Sequence, residues 1–150
     1  MDMGKIDRII DKHGGEASSL IQILLDIQGE HHWLPKKALE QVSEKLQVPM
    51  SRIQHIATFY KAFSLVPKGR HEVHVCTGTA CHVRGAQRVL DAVQDATGIS
   101  PGETDADLKF SLETVNCLGC CALGPVVEVN GKHHGNIAPA EIGNVLKNYE

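Results

Sequence analysis

Five cysteines fall between positions 76 and 121 of this 150-residue chain, and none precedes them. Cys76 and Cys81 are separated by TGTA, and Cys117 and Cys121 by LGC, which contains the fifth, Cys120. Thiolates bind iron and zinc and are also redox nucleophiles. The amino-terminal run MDMGKIDRII has no apolar core of a secretory signal and is neither Arg-rich nor acid-poor, so no transit peptide is read there. A cytosolic setting keeps thiols reduced, and clustered cysteines then point to metal or redox chemistry rather than to a disulfide framework.

Three chemistries suit these spacings. Four thiolates on two loops can hold a [2Fe–2S] cluster. They can hold structural zinc, whose cysteine pairs usually enclose two to four residues. CLGC at 117–120 can also be read as a thiol–disulfide Cys-x-x-Cys. Such a motif normally follows the first strand of its domain and opens a helix. Here it follows a later strand, and Pro125 stops any helix. Gly78, Gly119 and Gly124 lie in the cysteine loops, where glycine lets backbone N–H groups approach sulfur.

The elements that must position these loops occupy the second half. EVHVC (72–76) alternates as a strand, and VRGAQRVLDAVQDATG (83–98) reads as an amphipathic helix with Val83, Ala86, Val89, Leu90 and Val93 on one side. The amino-terminal end of that helix, just after Cys81, would favour a negative group. LKFSLETVNC (108–117) returns to strand, and PVVEVNGKHHGNI (125–137) holds an Asn130-Gly131 hairpin signal. Pro139 opens a last helix. The order is β-α-β-β-α, a small α/β sandwich with each cysteine pair just past a strand.

The first half reads as a helical bundle. Ile6, Ile9 and Ile10 share a face of a helix from Met1 to His13, which Gly14-Gly15 breaks. Ser18 or Ser19 can cap a second helix ending at Gly29. Pro35 opens a third, with Leu39, Val42 and Leu46 inward, and Ser51 can cap a fourth carrying Ile53, Ile56, Phe59, Tyr60 and Phe63. The polar run VPKGRHE marks the boundary, giving a bundle over 1–68 and an α/β domain over 69–150.

Composition excludes other classes. Hydrophobic residues make up 42% of the chain, enough for a packed core, and the net charge is -3. No basic block suits a phosphate backbone, and no apolar run is long enough for a membrane span, so neither nucleic acid nor membrane insertion is expected. The expected location is cytoplasmic, with the cytoplasmic side of a membrane complex compatible. His31-His32-Trp33 lacks accompanying ligands, and Trp33 reads as a bundle or interface anchor. His82 reads as a neighbour of the cysteine site, His133 and His134 as solvent-exposed. Phe59, Tyr60 and Phe63 read as core or interface, and Asp26 and Glu30 as a solvated helix edge.

The runs CTGTACHVRGAQRVLDAV and LKFSLETVNCLGCCALGPVVEVNGK closely resemble the thioredoxin-like [2Fe–2S] subunit of NADH dehydrogenase modules, and the likeness extends over LPKKALEQVSEKLQVPMSRIQHIATFYKAFSLVPKG. That family serves respiratory complex I and soluble NAD(P)-linked hydrogenases and formate dehydrogenases, some electron-bifurcating. The resemblance implies a helical bundle followed by a thioredoxin-like ferredoxin domain. It implies Cys76, Cys81, Cys117 and Cys121 as cluster ligands, the first pair on one iron and the second on the other, with Cys120 an extra thiol.

The implied role is one-electron transfer. A nicotinamide hydride carries two electrons, so a flavin must divide them. The chain has no GxGxxG after a strand. FMN and NAD(P)H are therefore expected on a larger iron–sulfur partner subunit, with further iron–sulfur subunits in the complex and the bundle serving to dock. A soluble hydrogenase or formate dehydrogenase, electron-bifurcating ones included, is favoured over complex I. The alternative is a zinc-stabilised thioredoxin-like interaction module.

Overall fold

The computed structural model describes residues 3–149, and the chain divides into two compact units, Met1–Lys68 and Gly69–Glu150. The first unit contains α1 (Met3–Lys12), α2 (Leu20–His31), α3 (Lys36–Leu46) and α4 (Met50–Phe59). Met1 and Asp2, expected in the first helix, lie outside the described residues. Residues spaced three or four apart present one apolar face per helix. Ile6 and Ile10, Ile23 and Ile27, Leu39 and Val42 all meet in one core that includes Ile53 and Phe63.

Several boundaries differ from the sequence expectation. Gly29 does not end α2, which continues to His31 and stops where His32 adopts a left-handed conformation. An internal glycine costs only about 1 kcal/mol. The extra turn places Glu30 at 3.3 Å from Lys5 Nζ, while Asp26 lies 2.9 Å from both Lys12 Nζ and His13 Nε2. Asp26 and Glu30 thus tie α2 to α1. Ser19 stands before α2 without a side-chain capping bond, and α4 begins at Met50, after Pro49. Phe63 is buried, but Phe59 is 72% exposed and Tyr60 44%.

The second unit contains β1 (His71–Cys76), α5 (Thr79–Val83), α6 (Ala86–Thr97), β2 (Phe110–Val115), β3 (Val126–Val129), β4 (Lys132–Gly135) and α7 (Ile142–Lys147). The sheet order is β2-β1-β3-β4, with β1 and β2 parallel and the other pairs antiparallel. The hairpin supplies two strands, so the order holds one strand more than β-α-β-β-α. Its turn residues Asn130 and Gly131 both have positive φ, as a tight two-residue hairpin requires.

Val73, Val75, Leu112, Val127 and Val129 form one face of the sheet and pack with Val89 and Val93 of α6 and Ile142 of α7. The helix expected over 83–98 begins only at Ala86, and Val83 belongs instead to the end of the separate short helix α5. Gly85, at φ +99°, breaks the run, and Val83 is 80% exposed rather than packed. Ser111 is buried and accepts the Gly69 N–H at 2.7 Å. His134 is half-buried, with Nε2 3.2 Å from the Tyr149 hydroxyl. Burial, aided by the Lys132 charge, holds its imidazole below the usual value. Among the described residues no helix is long and apolar enough to cross a membrane.

Candidate metal centre

Parallel pairing of β1 and β2 sets Cys76 opposite Val115, so the chain leaves both strands at the same edge of the sheet. The Thr77 N–H donates to the Val115 carbonyl at 2.9 Å and the Thr77 hydroxyl to the same oxygen at 3.1 Å. Cys76 ends β1, and Cys117 follows β2 by two residues. Cys81 sits within α5, and Cys121 opens a one-turn 3-10 helix, Cys121–Leu123. The expectation that Cys81 precedes a long helix is corrected: α6 starts only at Ala86.

These loops bring all four cysteines to the wall of one cavity of about 670 Å³. Of these, Cys76 and Cys81 are buried and Cys117 and Cys121 are exposed. The Sγ atoms of Cys117 and Cys121 are 4.0 Å apart. The Cys76 thiol interacts with those of Cys81 and Cys117. Among the described residues no three His, Cys, Asp or Glu side chains close round a single ion. The thiols instead stand as pairs on two loops. A dinuclear cluster takes two thiolates on each iron, and this donor set fits it.

Backbone N–H groups surround the sulfurs. Burial raises the Cys76 thiol, but N–H donation from Gly78 and Leu118 and the facing thiols of Cys81 and Cys117 outweigh it and leave the thiol below its ordinary value. Burial and the Cys76 thiol push Cys81 up, with the Val126 N–H opposing. The Cys117 thiol pushes Cys121 up. The Gly119 N–H donates to Cys117 Sγ at 3.2 Å, and Gly119 adopts φ +77°. Gly124 lies so close to Cys81 that a Cβ there would be 3.1 Å from its Sγ. The glycines in the loops were legible as backbone approach. The donors from Leu118 and Val126 were not, because any residue supplies an N–H.

Cys120 is half-buried, and its thiol points to the Leu118 carbonyl at 3.6 Å. Cys117 faces Cys121, not Cys120, so the CLGC segment is not arranged as a dithiol pair. His82 is exposed. Arg84 lies within the run CTGTACHVRGAQRVLDAV but had no role assigned from the sequence; it reaches from the end of α5 to the Cys121 carbonyl at 3.1 Å.

A four-stranded mixed sheet backed by helices, with cysteine loops leaving two parallel strands, is the architecture of a thioredoxin-like ferredoxin. Residues 6–150 match the family described as thioredoxin-like [2Fe-2S] ferredoxin, and the chain belongs to that family. It is 35% identical over 145 residues to HndA, a component of the NADP-reducing hydrogenase of Solidesulfovibrio fructosivorans, covering 97% of this chain and 85% of that one. It is 36% identical over 141 residues to a component of the NADH-quinone oxidoreductase of Rickettsia bellii (strain RML369-C), covering 92% of this chain and 84% of that one. Among solved structures it matches the NAD+-reducing [NiFe]-hydrogenase in the air-oxidized state with a TM-score of 0.73 and 23% identity, over 87% of this chain and 22% of that chain. At that identity the likeness is one of fold, and this chain spans about a fifth of its counterpart.

Proposed function

We propose that this chain carries single electrons as a subunit of an NAD(P)H-linked oxidoreductase, with Cys76, Cys81, Cys117 and Cys121 holding a [2Fe–2S] cluster. The observation that supports this most is the shared cavity, lined by two cysteines from each of two loops. When bound, the cluster supplies one-electron redox chemistry and no bond-making. The chain's own residues do the rest. N–H groups of Gly78 and Leu118 offset negative charge at Cys76. Ala86, Val126 and Leu118 pack against the buried cysteines and keep water from that side. Cys117 and Cys121 line the cavity yet are exposed, which puts the site within reach of a partner.

The relatives include both a hydrogenase component and a quinone oxidoreductase component, and the carrier role is what is common to them. FMN and NAD(P)H bind on a larger partner subunit, with further iron–sulfur subunits beyond it. The complex works in the cytoplasm. The unit over 1–68 serves as the docking element, and exposed Phe59, Tyr60 and Val66 suit that role. Anaerobic reductive titration tests the carrier role. Uptake of one electron per chain is expected, with reduction by NADH only when the flavin-bearing partner is added. Uptake of two electrons by a Cys117–Cys120 disulfide would contradict it.

A further inference from the structure

Arg84 closes α5 three residues beyond Cys81, and its guanidinium crosses to the other cysteine loop. Nη1 donates to the carbonyls of Cys121 at 3.1 Å, Ala122 at 3.2 Å and Gly124 at 3.4 Å. These carbonyls belong to the short turn that carries Cys121 and to the residue that follows it. A turn this short leaves carbonyls without helical partners. Its backbone bonds run from the Leu123 N–H to the Cys120 carbonyl at 2.9 Å, from the Gly124 N–H to the Cys121 carbonyl at 3.2 Å, and from the Asn136 N–H to the Leu123 carbonyl at 2.6 Å; none of them reaches α5.

The four cysteines are unequally supported. Cys76 ends a strand paired on both sides, and Cys81 is buried within a helix. Cys121 is exposed on a three-residue turn. Arg84 is the side chain that joins this turn to the helix bearing Cys81. Among the described residues lining the cavity it is also the one cationic side chain. Its planar fork stays charged at any working pH and suits several carbonyl acceptors at once.

We infer that Arg84 is a positioning residue: it clamps the Cys121 turn against α5 and sets a fixed positive charge beside the cysteine site. The clamp holds Cys121 Sγ toward the cavity. The charge favours the more negative, reduced state. This inference rests on the four-cysteine cluster reading for its electrostatic half. The clamp itself concerns only this chain's backbone.

The test uses the whole chain with Arg84→Met, Arg84→Gln and Arg84→Lys. Three quantities are read: amide hydrogen exchange at Leu123 and Gly124, the rate of iron loss to a chelator, and the midpoint potential followed by EPR. For Arg84→Met, exchange at both amides rises about tenfold. Its iron loss quickens by a similar factor, and its potential falls. Arg84→Gln keeps a donor without charge, so its potential falls with a smaller change in exchange. Arg84→Lys restores the potential but only part of the protection. If Arg84→Met does not fold, the Gln and Lys pair carries the comparison. Exchange and potential equal to wild type across the variants overturns the inference. Wild-type chain lacking iron and sulfide overturns the cluster reading instead, and amide exchange then still decides the clamp.

Discussion

A Cβ at Gly78 would lie 2.7 Å from the Asn116 carbonyl oxygen, so the loop leaving β1 and the loop leaving β2 touch backbone to backbone. That contact joins the two cysteine pairs before any metal is considered. Gly78→Ala forces the loops apart, because the opposing atom is backbone and cannot rotate away. Overpacking of this kind costs about 1–3 kcal/mol. The variant is expected to fold with a lower melting temperature and to hold less iron per chain. Full iron content in Gly78→Ala would show that the contact does not set the site.

Cys120 separates the cluster reading from a dithiol reading. Its thiol meets the Leu118 carbonyl, while Cys117 and Cys121 face each other. Cys120→Ser is expected to keep iron and sulfide at wild-type levels, whereas Cys76→Ser, Cys81→Ser or Cys117→Ser loses or destabilises them. Iron and sulfide analysis of the four variants checks this, and loss in Cys120→Ser alone would reverse the assignment.

The edge of α4 supplies a test of docking. Phe59 stacks edge-on against Tyr60 at 5.0 Å between ring centroids while 72% exposed. An exposed aromatic pair is a common anchor of protein interfaces. Phe59→Ser should leave the melting temperature nearly unchanged and lower copurification of the flavin-bearing partner at least severalfold, by about 1–2 kcal/mol. Undiminished copurification would remove this patch from the interface.

Asp26 makes acid stability of the helical unit predictable in sign. The Lys12 ammonium, then the His13 ring, holds its carboxyl below the usual carboxylate value. A depressed folded value adds stability that is fully present above the unfolded value, near about 4, and is lost as pH falls through the folded one. Exposed pairs of this kind contribute about 0.2–1 kcal/mol. Asp26→Asn should therefore lower the denaturation midpoint at pH 7, and the gap to wild type should close as pH falls below about 4. A gap that widens on acidification would contradict the sign.

Much of this was legible in sequence because strands and cysteines leave strong local marks. EVHVC alternates, its cysteine ends β1, and Asn130-Gly131 demands the hairpin it forms. The helix break at Gly85 was hidden because Val83, Ala86, Val89, Leu90 and Val93 continue one apolar period across it. Val83 instead ends α5 in solvent. Gly29 misled in the opposite way, since its cost is small beside the packing of Ile27 and the pairs made by Asp26 and Glu30. Arg84, although it sits inside the run CTGTACHVRGAQRVLDAV, left no mark of its role. Its partners are main-chain carbonyls 37 to 40 residues along the chain, and a carbonyl has no sequence identity.

The proposed redox cluster rests on four cysteines from two adjoining loops. Iron, zinc and acid-labile sulfide should be measured per chain on anaerobically purified protein, with an EPR spectrum after dithionite reduction. About two iron and about two sulfide, with an S = 1/2 signal on reduction, is the predicted result. Zinc without sulfide and no signal would contradict it, leaving a structural module on a ferredoxin fold.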